Sequence, residues 1–483
     1  MNCVYIHFKN RTLKIYRNEI VMNAIKTLSK IKVIINILII SCSFSSVVLG
    51  QNSIIDELNI NRKSSLNFSS SLSAKYLYSM NTINIATQKQ QLNLKSKVKV
   101  ELSNTTQIKF LGKFTVDSFD KLEPRVPQQL EVSDLSKRTF IGNKAELELR
   151  ELFLETSIGR TYVTIGKQQI VWGKADGLKV LDLVNPQYFR EYILEEFEES
   201  RIPLWSVNVE VPISELVLQL IWIPDNTYNV IPENGSLFAI TSPILIPQAP
   251  EDIPVKVKQL NKPGRFFKDS DFGLRVSTFL SGWDLTLNYL YHFYDNPVLY
   301  RNISVTNNIP QISITPQYER SHIIGGTFSK AMGSLTLRGE VGYSINRYFS
   351  TNDVSDMDGI INSNTLDYVL GFDWFGIEDG VLSFQFFQSW LANYQTGIFR
   401  KEFENNFSLL ARRNFLNETL EYEILYVINA NRGDGLLRLK TNYDYNDNIE
   451  LQVGYDLFHG NSDGLFGQFG NNDRVYFSVE YSL

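Results

Sequence analysis

The stretch Leu92-Asn93-Leu94-Lys95-Ser96-Lys97-Val98-Lys99-Val100-Glu101-Leu102 decides the fold. Leu92, Leu94, Val98, Val100 and Leu102 fall on one parity, while Asn93, Lys95, Lys97, Lys99 and Glu101 fall on the other. Successive side chains of an extended strand point to opposite faces, so this run presents one apolar and one polar surface. Much further along, Ile449, Leu451, Val453, Tyr455 and Leu457 interleave with Glu450, Gln452, Gly454 and Asp456 in the same way. From residue 66 onward about eighteen such runs succeed one another, with sixteen the next choice. Tight connections such as Asn104-Thr105, Gly159-Arg160, Pro212-Ile213 and Ser281-Gly282 alternate with long links at 120–144, 169–203, 224–269, 296–318, 348–364 and 460–471. That wiring predicts an all-β fold: a transmembrane antiparallel β-barrel with short periplasmic turns and long extracellular loops.

The N-terminus reads differently. Lys26, Lys30 and Lys32 precede the apolar run Val33 to Ile40, and Val48-Leu49-Gly50 supplies permissive residues before Gln51. This is the pattern of a secretory signal peptide cleaved after Gly50, with Met22 a better start than Met1. Residues 1–50 are then a leader, 51–65 a short periplasmic tail and 66–483 the barrel. A rival reading of Ile39-Ile40-Ser41-Cys42 makes Cys42 a lipidated residue. Cys3 and Cys42 are the only cysteines, so cleavage after Gly50 leaves none for a disulfide or a metal.

Aromatic residues make up 13% of the chain, which suits interfacial girdles. No stretch of the body approaches the roughly 20 apolar residues that a transmembrane helix needs, so any crossing is made by strands. The leader holds seven of the 47 Lys and Arg and one of the 52 acids, which leaves 40 against 51 and a formal charge of −11. An acidic chain argues against a nucleic-acid partner. The final run places Val475, Phe477, Val479, Tyr481 and Leu483 on one parity. Barrel-assembly machinery recognises such a C-terminal strand, usually with Phe last, and Leu483 departs from that habit.

If the apolar parity meets outer-membrane lipids, the polar parity enumerates the lumen wall. Lys95, Lys97, Lys99, Lys109 and Lys113 form a basic ladder, with Glu146, Glu148 and Glu155 on the following strand. Further round stand Arg275, Arg338 with Glu340, Asp367 and Asp373, then Glu421 and Glu423 facing Arg438 and Lys440. A Lys or Arg on the lipid face costs about 2–4 kcal/mol at the bilayer midplane, so the lumen is the cheaper place. Two roles stay open for these charges: ion pairs that keep the wall wet and rigid, or groups that select a solute.

The link 169–203 is the candidate constriction, with Trp172, Gly173, Asn185, Pro186, Arg190, Glu195 and Arg201 as its marked residues. Leu194-Glu195-Glu196-Phe197-Glu198-Glu199 has helical composition. Folded inward, such a helix closes the pore or offers its glutamates to a cation; folded outward, it is a solvated loop. Trp172 is either a girdle ring or a loop anchor inside the barrel.

Around this link the sequence reads Glu148-Leu149-Arg150-Glu151-Leu152-Phe153, then Ile165-Gly166-Lys167-Gln168-Gln169-Ile170-Val171-Trp172-Gly173-Lys174, then Asn185-Pro186, Arg190 and Arg201-Ile202-Pro203. This resembles a family of Gram-negative outer-membrane proteins known only as a domain of unknown function. Lys167 stands where Arg is commoner in that pattern. The resemblance covers roughly residues 145 to 483. It implies a barrel, partnership with an RND-type exporter and an outer-membrane lipoprotein-sorting protein, and traffic in hydrophobic or lipid-like solutes.

Beyond the leader the chain has only His292, His322 and His459, and no Ser or Asp completes a triad around them. Neither an enzyme, a cofactor nor a metal site is expected, although Asp353, Asp356 and Asp358 form an acidic loop patch able to attract Ca²⁺. The expectation is an outer-membrane channel or exit port. The alternative is an occluded barrel that binds partners through its long loops.

Overall fold

A computed structural model describes residues 67–175, 177–246, 253–306 and 309–483. The leader, the Met22 start, the cleavage after Gly50, Cys42 and the tail 51–65 lie outside the described residues. The first strands are β1 (Asn67–Asn81), β2 (Thr87–Ser103), β3 (Thr106–Asp117), β4 (Thr139–Ile141), β5 (Ala145–Ile158) and β6 (Thr161–Gln168). A single helical turn, α1 (Phe197–Ser200), precedes β7 (Leu204–Ile213) and β8 (Leu216–Ile223). Next come β9 (Val255–Val257), β10 (Asp271–Leu280), β11 (Trp283–Phe293), β12 (Val298–Thr306), β13 (Ile309–Gln317) and β14 (Arg320–Met332). The chain continues through β15 (Leu335–Ser350), β16 (Ile360–Trp374), β17 (Gly380–Leu391) and β18 (Phe403–Phe415). It ends with β19 (Leu420–Asn429), β20 (Asp434–Asn446), β21 (Ile449–His459) and β22 (Arg474–Ser482).

Eighteen of these strands form one antiparallel sheet, each pairing with its neighbours in chain order. The sheet closes where β1 pairs with β22, from Ser73 opposite Ser482 to Asn81 opposite Arg474. Closure leaves no barrel edge unpaired. Outside the ring, β4 pairs with β5 beyond the end of β6, and β12, β13 and β9 make a separate three-stranded sheet from the long links.

The period-two pattern sorts the faces. Phe110, Leu147, Ile165, Leu220, Leu287, Ile324, Val341, Leu370, Leu409, Ile424 and Val453 are exposed on the outside. Tyr162, Phe279, Phe375 and Tyr445 crowd the exposed surface beside the short turns. Gln219, Asn288, Thr327, Ser344, Gln385, Ser408 and Ser478 are buried on the inner wall. Among the described residues no helix is long and apolar enough to cross a membrane.

Several expectations needed correction. Pro212 and Ile213 lie within β7, and the turn is Ser214-Glu215, with Ser214 at φ 56°. The link 296–318 is mostly the β12–β13 hairpin, whose own alternation (Val298, Tyr300; Ile312, Ile314) the link reading passed over. The link 348–364 is shorter than expected, because β15 runs to Ser350 and β16 starts at Ile360. The anticipated helix around Leu194–Glu199 shrinks to one turn, since Arg150 takes the Glu198 carbonyl at 2.7 Å and Arg438 takes that of Leu194 at 2.9 Å.

Candidate functional site

The wall is lowest where the link 169–203 departs: β6 has only eight residues, while β2 has 17 and β15 has 16. Here the chain turns inward. Asn185 fastens the base, accepting the Ile170 N–H at 2.7 Å and donating to the Ile202 carbonyl at 2.9 Å. The Pro186 carbonyl accepts the Ile202 N–H at 2.8 Å, and Arg201 grips Asp182 at 2.7 Å. Gly173 lies against Asp182, where a Cβ would meet the backbone nitrogen at 2.9 Å.

Trp172 is buried, and its indole donates to Gln219 at 2.9 Å. It packs with Ile170, Val180, Leu181 and Val184 of the link against Ile221, Leu290, Ile323, Val369 and Phe387 of the wall. It is therefore a loop anchor and not a girdle ring. Leu181 reaches β14 and β15 at Gly325 and Gly342, where added Cβ atoms would lie 2.6 and 3.0 Å from its Cδ2. Glu340, expected to line an open pore, is covered: it accepts N–H groups from Lys174, from Ala175 at 2.7 Å and from Leu181 at 3.0 Å. Arg338 holds the Lys174 carbonyl and Asp373, the latter at 2.8 Å.

Past this anchor the link crosses to the opposite wall. Glu191 is buried between Lys89 of β2 and Arg474 of β22, the latter at 2.5 Å. Arg474 also holds Asp456 at 2.7 Å, and Asp456 pairs with Arg438 at 3.2 Å. Burial alone would raise the Glu191 carboxyl, but Lys89 and Arg474 outweigh it and hold the group below the ordinary carboxylate range. Arg190 reaches Glu195 at 2.9 Å and Glu146 at 3.3 Å.

The predicted basic ladder divides. Lys95 and Lys113 stand directly opposite each other, a repulsive pairing on adjacent strands, and Glu199 of the link bridges them at 2.6 and 2.9 Å. Lys109 pairs with Glu155 at 2.9 Å and Lys99 with Glu101 at 2.6 Å. Lys97 and Lys99 border a cavity of ≈ 470 Å³ on the short-turn side. Lys440 lies between Glu423 at 3.1 Å and Glu196 at 3.4 Å. Arg275 faces inward and touches the Val171 carbonyl at 3.5 Å. The glutamates once offered to a cation are matched by protein groups, Glu198 excepted.

Two more cavities flank the link. One of ≈ 530 Å³ on the short-turn side is bordered by Arg338, Asp373, Arg412, Glu423 and Arg438. One of ≈ 400 Å³ on the long-link side is bordered by His292, Asp295, Arg347, Asp367 and Phe387. Gly177, Ile193, Glu195 and Phe197 border both. These four residues form the partition.

A family profile described as protein of unknown function (DUF1302) matches residues 47–483. The chain belongs to this family. No curated protein matches it. Solved structures similar to it include Acinetobacter baumannii OccAB2, with 12% identity over 86% of this chain and 98% of that one at a TM-score of 0.48. The Pseudomonas aeruginosa outer membrane protein OpdK has 12% identity over 86% of this chain and 99% of its own, at 0.47. Salmonella typhi OmpF has 10% identity over 86% and 97%, at 0.42.

Within this DUF1302 barrel, three features escaped the sequence reading. Arg150 is the extra residue of a bulge on β5, which aims its guanidinium at the carbonyls of Glu198, Glu199 and Arg201. The Glu191–Lys89–Arg474 clasp joins residues too distant in sequence to be linked by spacing. Only the anchor left a signal, in the apolar Ile221 and Ile223 on the lumen parity of β8, Leu216–Ile223. Arg347 was assigned to no face. His292 and His322 point to opposite faces: His292 is buried inside, while His322 meets the exposed Tyr289 hydroxyl at 2.9 Å. Asp353 and Asp356 cap their own loop by accepting neighbouring N–H groups.

Proposed function

We propose that this protein is a Gram-negative outer-membrane transport barrel whose lumen is partitioned at rest by the link 169–203. The observation that carries the reading is a pair of vestibules with one shared wall between them, made by Gly177, Ile193, Glu195 and Phe197. The exposed apolar belt would meet outer-membrane lipids, since a soluble monomer rarely shows so large an apolar surface. The short turns would face the periplasm and the long links the exterior. In this reading β22 is the strand that barrel-assembly machinery would engage. Hydrophobic or lipid-like solutes, and delivery from an RND-type exporter with a lipoprotein, follow from the family resemblance alone.

A display barrel is the second reading. It is favoured by the external sheet of β9, β12 and β13, which exposes Val255, Val257, Ile303 and Val305. Planar bilayers separate the two. The full chain should give rare, small conductance steps, and a variant lacking residues 174–200 should give large, steady ones. A deletion variant that inserts and stays silent would overturn the transport reading and leave display.

A further inference from the structure

Among the described residues, Arg347 of β15 forms no ion pair, and its side chain lies in the lumen. On β15 the even positions Glu340, Gly342 and Ser344 are buried on the inner wall while Val341 is exposed outside. By that parity Arg347 belongs outside. Pairing with β16 breaks between Ser344 and Arg347, and Asn346 takes φ 62° in the resulting bulge. Positive φ is uncommon for a residue other than glycine. Bulges re-aim side chains, and they concentrate near functional sites. Beyond the bulge Arg347 stands opposite Ser363, which is buried on the inner face. A local distortion has turned one guanidinium inward.

That guanidinium borders the ≈ 400 Å³ cavity, stacked 4.1 Å from the Tyr294 ring centroid. Its Nε is buried without a hydrogen-bond partner, as is Nε2 of His292 on the same wall. Four carboxyl groups share the cavity: Asp182, Glu195, Asp295 and Asp367. Asp182 is held by Arg201 and Lys179 at 2.7 and 3.0 Å, and Glu195 by Arg190. Asp367 accepts the Thr365 hydroxyl at 2.8 Å and lies in the field of Arg400, which itself donates to the Ser389 hydroxyl at 2.9 Å. Burial and the neighbouring Asp271 push the Asp295 carboxyl up, and Arg347 opposes them only in part. Of the two described cations that border the cavity, Lys179 has an ion pair with Asp182 and Arg347 has none. Across the cavity lie Leu178, Leu183, Ile193, Phe197, Ile323 and Phe387.

We propose that this cavity binds an organic monocarboxylate, its carboxylate on Arg347 beside His292 and its apolar body against Leu183, Ile323 and Phe387. The volume falls within the roughly 300–1,000 Å³ of small-molecule sites. The assignment rests on the reading of the barrel as one that handles solutes. Binding in detergent is measured without any passage, however, so the two ideas fail separately.

The test is calorimetric titration of the purified full chain with phenylacetate, cinnamate and octanoate, each against its primary amide. At least one acid should bind saturably and about tenfold or more tighter than its amide, the size expected of a lost charge-assisted contact. Arg347→Gln should erase that preference, whereas Arg275→Gln, a luminal arginine outside the cavity, should keep it. Acids and amides that bind alike to the wild type, no saturable binding of any of the three acids, or a folded Arg347→Gln that keeps the preference would each overturn the site. The wild-type comparison needs no variant and decides even if the substitution prevents folding. Binding without conductance in bilayers would count against transport and leave the site standing.

Discussion

Replacing Glu191 by Gln should loosen the far end of the link. The substitution keeps volume and removes the one carboxylate, among the described residues, that ion-pairs with Lys89, which is 5% exposed. Arg474 retains Asp456 at 2.7 Å, so the uncompensated charge falls on Lys89. Removing one partner of a buried pair costs about 3–5 kcal/mol, because the other charge stays desolvated. The penalty applies to the docked arrangement, since an undocked link lets water reach Lys89. At 1.36 kcal/mol per tenfold, the docked-to-undocked ratio should fall by about two to nearly four orders of magnitude. A wild-type barrel open about 0.1% of the time would then be open for at least about a tenth of it.

Single-channel recording reads that change directly. Lys89→Met combined with Glu191→Gln removes both charges and should restore closure to near the wild-type level, since the penalty comes from the orphaned ion. Acid gives an independent handle. The docked carboxyl lies below its ordinary value of 4.5, so the clasp is at full strength above about pH 4.5 and weakens only as pH falls below it. A folded Glu191→Gln barrel with unchanged open probability would refute the clasp, and so would wild-type opening already between pH 5 and 7 that the variant lacks.

Two further outcomes follow from the same link. Burial, opposed by Asp182, lowers the Lys179 amine to about 8 from 10.5; the docked link then binds fewer protons than the free one between those values, so raising pH through that window should lower open probability. Lys179→Met should flatten that dependence, and a profile identical in both proteins would discard the assignment. Deleting residues 174–200 removes Glu199 from Lys95 and Lys113, Glu191 from Lys89 and Glu196 from Lys440, so the opened lumen should prefer anions. Reversal potentials across a KCl gradient would show it, and cation preference would contradict the ion-pair map.

The barrel was legible because each strand pays attention to one rule: side chains alternate, and a half-lipid, half-water sheet writes that alternation into Leu92–Leu102 and Ile449–Leu457. The departures from that rule were not legible. Arg150 and Arg347 each sit at a bulge, and inserting one residue inverts the face of every later position. Boundaries slipped for a related reason, since Pro212 stays in β7. The inward course of the link was half visible. Ile221, Leu290 and Ile323 occupy lumen parity yet are apolar, which makes sense only if something dry covers them. What covers them is the Trp172–Val184 segment, and no local spacing pairs residues separated by the width of a barrel.

If the proposed partition moves, the two roles left open for the luminal charges depend on one another. A wetted wall would pair its cations across neighbouring strands, as Lys109 does with Glu155. Lys95 and Lys113 oppose each other, and although Glu148 stands across from Lys113 on β5, the carboxylate that ion-pairs with both lysines comes from the link. Glu199 supplies it, and Glu191 does the same for Lys89. On the proposed reading, the same side chains that hold the partition shut would become unpaired when it moved, as a solute gained access to them. An anion arriving from either vestibule competes with the link for these cations, so a suitable solute would favour the undocked arrangement by mass action. On that reading gate and selectivity are one set of contacts, and a substitution that alters one without the other would have to lie among the four partition residues, of which Glu195 pairs only within the link, with Arg190.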